Sequence, residues 1–181
     1  MIKGILTGKY RYWNEINPKR KKEEIKVVFD NPNSGTVHYA IDSICSGQKF
    51  SPQVSAVETN KSVIEYVKNN PNSIGIIGGS WISNRDDSTC LSFLETIKVA
   101  SITKDSIINT QNSYAPYQAY VALNKYPYVR NIYIIISEPR TGLASGLTSF
   151  ITSDRGQRII LRSGIVPATQ PLRVINVRDN F

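Results

Sequence analysis

Apolar and polar positions follow two rhythms along this chain and change from one to the other at short polar breaks. Ile25 to Phe29, IKVVF, is a β-branched apolar run that reads as a strand. After the polar stretch DNPNSGT, Val37, Ala40, Ile41, Ile44 and Cys45 recur at the i, i+3, i+4, i+7, i+8 spacing of one helical face. Gly47 supplies the stop. These segments predict one strand, one loop and one helix.

A second unit follows the first. Val54 to Val57 predicts a short strand, and Thr59 or Asn60 caps a helix carrying Val63, Ile64 and Val67. Asn69-Asn70-Pro71 ends that helix, and Ile74 to Gly78 reads as a buried strand. The polar stretch SNRDDSTC reads as a turn and SFLETIKVASI as an extended crossing segment. Ser113 is the expected cap of a helix through Tyr117, Ala119, Tyr120 and Leu123, and NIYIIIS carries the strongest strand signal. Leu143, Leu147, Phe150 and Ile151 share one helical face; Ser153-Asp154 starts another helix with Ile159 and Ile160, closed by Gly164 before Pro167. RVINV is a last strand candidate. Strands alternating with helices predict an α/β fold, a sheet with helices on both faces.

Composition narrows the class. The 181 residues, 40% hydrophobic and 20% charged, suit one domain or one large lobe with a core. No run of 18 apolar residues exists, so no membrane-spanning helix is expected. MIKGILTGKYRYW lacks the pattern of a secretory signal, which a mature form would in any case have shed. Cys45 and Cys90 fit no metal-ligand or redox spacing, so neither metal nor cofactor is expected, and Cys45 reads as a buried small hydrophobe.

The net charge of +8 permits an anionic partner. However, its densest run, Lys19 to Lys22, meets Glu23 and Glu24 at once and reads as a solvated loop before a strand. No nucleic-acid motif interleaves basic residues with aromatics, and nucleic acid is not an expected partner.

The loop after the first strand is the leading site candidate. Backbone N–H groups at a helix start point outward unsatisfied, and such a place attracts anions. Ser34 and Thr36 bring hydroxyls, and Gly35 lets a ligand approach the backbone. The bland alternative is that Asn33 or Ser34 only caps the helix. Asp30 repels a dianion unless a proton or an arginine neutralises it, and would suit a hydroxylated ligand.

Enzyme readings find less support. Ser101-Ile102-Thr103-Lys104 matches Ser-x-x-Lys without its usual companion motifs, and GGSWI misses a nucleophile elbow at Ile82. His38 reads as a helix-surface residue, and Trp13 as packing for a short helix. No enzyme is expected; a hydrolase using Ser34 or Ser101 would need a base that the sequence does not supply.

Four segments carry a resemblance to a known family. ILTGKYRYWNEI is similar to a Gly-Lys-x-x-x-Trp-x-x-Ile segment, and VVFDNPNSGT to a strand followed by a Ser-Gly-Thr phosphate loop. SVIEYVKNNPNSIGIIG is similar to a helix, turn and Ile-Gly-Tyr strand, with Ile76 in the aromatic position. YPYVRNIYIII and GLASGLTSFITSDRGQRIILRSGIVPA resemble a Tyr-Pro strand and a helix pair ending Gly-x-Val-Pro. Together they resemble the phosphate-binding, PstS-like solute-binding proteins of ABC transporters, of the type II periplasmic-binding-protein fold.

The resemblance implies a three-layer α/β/α sandwich. Residues 1–110 would form the second ligand-binding lobe, and residues 111–181 its remainder with a return segment into a first lobe. It implies that Ser34, Gly35 and Thr36 hold phosphate or a related oxyanion; Asn33 and Asp30, from the loop's own residues, complete the set of candidate ligand-binding positions. The expected location is periplasmic or extracytoplasmic, with a lipid anchor in the full-length protein, and the expected partner is an ABC permease. Relative to the family, the N-terminal half-lobe is missing, to be supplied by another segment or by a second copy. Asp30 stands where the family usually has an arginine, which leaves open a lobe of the same fold serving a sensor, adhesion or other-solute role.

Overall fold

Lys26, Val27, Val28 and Phe29 form the central strand, β1, of a three-stranded parallel sheet, with β2 (Val54–Ala56) on one side and β3 (Ser73–Ile76) on the other. A strand flanked on both sides and covered on both faces has no position facing water. That is why VVF is continuous rather than alternating. The computed structural model describes residues 1–83 and 93–169. They fall into two units, residues 1–81 with 93–97, and residues 82–83 with 98–169.

In the first unit, Val27 and Phe29 turn to one face of the sheet. They join Ile5 and Leu6 of α1 (Ile2–Leu6), Ile25, and Val37, Ala40 and Cys45 in one buried cluster. Phe29 also stacks on Phe50, with ring centroids 5.3 Å apart. Trp13, on α2 (Trp13–Ile16), packs against this cluster as expected and donates its Nε1–H to the carbonyl of Asn72 at 3.1 Å. On the other face Val28 lies in register with Gly75, where a Cβ would come within 2.7 Å of Val63 and 2.8 Å of Val67 on α4 (Asn60–Asn69). The connections from β1 to β2 and from β2 to β3 run in opposite directions across the sheet. Right-handed crossovers therefore place their helices on opposite faces. The expected α/β/α sandwich is the observed one.

The helix after β1 is α3 (Gly35–Tyr39), which runs on into a π turn over Ala40–Ile44. The Cys45 N–H reaches the Ala40 carbonyl at 2.8 Å, and Ser46 and Gly47, both at positive φ, end the helix. Ile41 and Ile44 pack on the core only partly buried, while Cys45 is fully buried. The cap of α4 is Thr59, whose Oγ1 accepts from the Ser62 N–H at 3.1 Å.

Two sequence expectations are corrected here. The third strand is half-buried and ends at Ile76, because among the described residues β3 is an edge with one paired flank. Residues 93–96 form a helical turn rather than an extended segment, with the Ile97 N–H bonded to the Phe93 carbonyl at 3.0 Å. GGSWI turns into a short helix, α5 (Ser80–Ser83), after β3. The polar turn expected over residues 83–90 lies, from residue 84 on, outside the described residues.

In the second unit, Ile102 and Tyr114 form an isolated antiparallel bridge, and α6 (Gln118–Ala122) begins later than expected. Ser113 does not cap it: its Oγ donates to the Asn109 carbonyl at 2.7 Å, and Tyr117 is the capping position. The bridge holds Tyr114 extended, and Pro116 disfavours a helical conformation at Ala115, so the helix starts only after both. α7 (Leu143–Thr152) and α8 (Asp154–Arg162) meet at Ser153, whose Oγ accepts from the Gly156 N–H at 3.4 Å. A Cβ on Gly156 would collide with the carbonyl oxygens of Phe150 and Ile151. The buried amide of Gln157 donates to the Ile151 carbonyl at 2.9 Å and accepts from the Ala168 N–H at 2.7 Å, fixing the chain beyond Gly164.

NIYIIIS is not a strand among the described residues: it has no sheet pairing, and Ile132 and Ile135 are 73% and 92% exposed. β-branched residues favour extended backbone, but a strand needs a neighbour to pair with. Leu143, Leu147 and Phe150 share a helical face as expected, yet that face is exposed. The candidate strand RVINV lies outside the described residues.

Candidate functional site

The carboxyl end of β1 delivers the chain into a loop that Asn31 closes. Its Oδ1 accepts from the Asn33 N–H at 2.8 Å and its carbonyl from the Ser34 N–H at 2.9 Å. Ser34 is then the cap of α3: its Oγ accepts from the Val37 N–H at 3.3 Å and its carbonyl from the His38 N–H at 3.1 Å. The Ser34 hydroxyl donates its single proton to Asp30 Oδ1 at 2.6 Å. Asp30 is buried, at 9% exposure, so this short bond ties the strand end to the helix start.

The loop thus brings all five sequence-singled residues together within one turn of chain. Ser34 and Thr36 are half-buried, while Asn33 and Gly35 are exposed. Among the described residues, the N–H groups of Gly35 and Thr36 and the hydroxyl of Thr36 have no acceptor in the chain. The two N–H groups point out of the positive end of the helix, with the Thr36 hydroxyl on the same first turn. The Ser34 proton is committed to Asp30 and reaches a ligand only if that bond opens.

The same edge of the sheet holds groups that the sequence reading did not assign to a site. Thr59 and Ser62 follow β2 with their hydroxyls 2.8 Å apart, and Asn60 Oδ1 is buried without a partner. Gly78, Gly79 and Ser80 follow β3, and a side chain at Gly79 would meet nothing within 4 Å. The available signal was positional: each segment leaves a strand at its carboxyl end, as Ser34 does.

Other sequence candidates belong to other elements or take structural roles. His38 is exposed on α3, and the ammonium of Lys104 donates to the Asn124 carbonyl at 2.8 Å. Burial pushes the Cys45 thiol up from its ordinary pKa, as befits a core residue. Among the described residues, no group of three or more His, Cys, Asp or Glu is placed to hold a metal. Nor is any described helix long and apolar enough to cross a membrane.

Comparison with known proteins gives this geometry a context. The phosphate-binding protein PstS of Staphylococcus saprophyticus is 23% identical over 159 residues, covering 86% of this chain and 46% of the relative. Its counterpart in Staphylococcus aureus strain USA300 is 22% identical over 160 residues, covering 86% and 44%. The chain therefore spans less than half the length of these curated relatives. Their names are those of binding proteins rather than enzymes.

Among solved structures, a putative phosphate ABC transporter substrate-binding protein from Clostridium perfringens, with phosphate bound, matches with a TM-score of 0.66 at 22% identity. The match covers 93% of this chain and 61% of that one. PstS from Borrelia burgdorferi matches with a TM-score of 0.58 at 21% identity, covering 92% and 61%. These likenesses show a shared periplasmic-binding-protein fold. The family model described as a PBP superfamily domain matches residues 1–155, and the chain belongs to that family.

Proposed function

We propose that this chain is the ligand-holding part of an extracytoplasmic solute-binding protein, and that its Ser34-Gly35-Thr36 loop takes phosphate or a closely related oxyanion. The observation that carries this reading is the set of donors on Gly35 and Thr36 at the start of α3. Relatives and structural neighbours named for phosphate binding support it. The loop's contribution is binding: donors replace the anion's hydration shell, and the one hydroxyl that sits beside a carboxylate, Ser34 on Asp30, is engaged as the helix cap. An ABC permease is the partner that would receive the ligand.

Asp30 sets a condition on the ligand. A carboxylate this close repels a fully deprotonated anion, whereas an oxyanion that carries a proton can donate it to Asp30. Hydrogen phosphate meets that condition at neutral pH, and sulfate does not. The Ser34 hydroxyl, already bound to Asp30, then serves as a brace that orients the carboxylate.

Isothermal calorimetry with phosphate and with sulfate tests the reading on this chain and on a longer form carrying whatever coding sequence precedes it. Phosphate binding that is lost in Thr36→Val supports the loop. Heat from neither anion in both forms overturns it. The same fold with another solute is favoured by Asp30 if binding appears only with a hydroxylated ligand.

A further inference from the structure

Eight of the first 26 residues are Lys or Arg and three are Glu, so this short segment holds five of the chain's eight net positive charges. Folding concentrates them. Tyr12 and Glu24 form an antiparallel bridge, the Trp13 N–H reaches the Glu23 carbonyl at 2.9 Å, and the Ile25 N–H reaches the Arg11 carbonyl at 2.9 Å. The basic run at residues 19–22 is thereby returned onto the aromatic segment at residues 10–13. Lys9 lies 5.7 Å from the Tyr10 ring centroid, Arg20 5.3 Å from that of Trp13 and Lys22 4.9 Å from that of Tyr12. Such pairs occur about once per 70–80 residues. Three within one short segment mark a face on which cations are gathered over aromatic plates.

Lys9, Arg11, Lys19, Arg20, Lys21 and Lys22 are all exposed. Three acids share the segment: Glu15 is turned to the backbone, accepting from the N–H groups of Arg11 at 2.6 Å and Tyr12 at 3.0 Å, while Glu23 and Glu24 follow the basic run directly and offset part of its charge. The face lies beside the amino end of β1 and is tied to the loop before β3 by the Trp13 to Asn72 bond. The Asp30 to Thr36 loop leaves the opposite, carboxyl end of β1. The two are separate features of the first unit.

We infer that this face binds an anionic lipid surface, its exposed cations reaching headgroup phosphates from a base of half-buried aromatic rings. Aromatic rings with a polar tip and long-stemmed cations are the side chains that a bilayer interface accepts. Each Lys or Arg brought to an anionic bilayer contributes about fivefold in partitioning. Nucleic acid is the weaker fit: Tyr10 and Trp13 pack against the core and also carry a cation, so they offer little ring face for bases to stack on.

The test is sedimentation of the 181-residue chain with vesicles of phosphatidylglycerol mixed into phosphatidylcholine, against phosphatidylcholine alone. Binding is expected only to the anionic vesicles and is expected to fall steeply as salt rises. Joint Lys19→Glu, Arg20→Glu, Lys21→Glu and Lys22→Glu substitution should lower partitioning by a hundredfold or more on the order set by the per-charge contribution. Lys125→Glu, which removes the cation–aromatic pair with Tyr114 in the second unit, should leave it unchanged. Circular dichroism confirms that each variant is folded. Failure of the folded wild-type chain to bind anionic vesicles at low salt overturns the inference. Loss of vesicle binding in Lys125→Glu equal to that of the fourfold variant, or equal retention on duplex DNA, also overturns it. Neither outcome bears on phosphate binding at the loop.

Discussion

The bond between Ser34 and Asp30 couples two costs in one residue. Ser34→Ala removes a helix cap worth about 1 kcal/mol, and it leaves a buried carboxylate without its donor, at about 1–3 kcal/mol. Urea denaturation at neutral pH should show both, and Ser34→Thr should restore most of the loss. Glu15 makes a contrasting case on the surface. Its hydrogen bonds from the backbone of Tyr12 and then Arg11 hold its pKa below the ordinary glutamate value. Because the folded value is the lower one, the benefit is present above the unfolded pKa and disappears as pH falls through the folded pKa. Glu15→Gln should therefore flatten part of the acid limb of a stability-against-pH curve, and an unchanged limb would refute this. Cys45 is buried with its thiol pKa raised, so peptide mapping after neutral alkylation should find it unmodified in the native chain and modified after denaturation.

Contacts between elements turn on two glycines whose roles are packing rather than flexibility. Gly75 on β3 lies against Val63 and Val67 of α4, and a larger side chain there must push that helix off the sheet. Gly75→Val should cost about 1–3 kcal/mol, seen as a lowered urea midpoint. Gly156 lets the start of α8 approach the carbonyls that end α7. Gly156→Ala should separate the two helices and free the segment that Gln157 holds, which hydrogen exchange at Ala168 would report. Neither role was legible in the sequence. Gly75 sits inside a strand pattern and Gly156 inside a helical one, and only the approach of a second element distinguishes them from weak points.

Across the whole molecule, exposure and burial divide residues that look alike in sequence. Val27 and Ile135 are both β-branched residues in apolar runs, one 1% and the other 92% exposed. Val27→Ala should lower stability by about 1–3 kcal/mol, against roughly half a kcal/mol or less for Ile135→Lys, by thermal or urea unfolding. Apolar rhythm and strand-end position were enough, in the sequence alone, to give the order of the first three strands and their helices, to narrow two caps to Asn33 or Ser34 and to Thr59 or Asn60, and to mark the loop after the first strand as the candidate. Those features follow from local backbone preference and from burial of one side of a helix or both sides of a strand. The tertiary structure decided the rest. Among the described residues it set β3 at an edge and left residues 131–137 without a strand to pair with; it also committed the Ser34 proton to Asp30 and folded the basic run back over Tyr12 and Trp13. Each of these depends on which distant backbone or side chain arrives alongside, and periodicity along a single chain does not encode that.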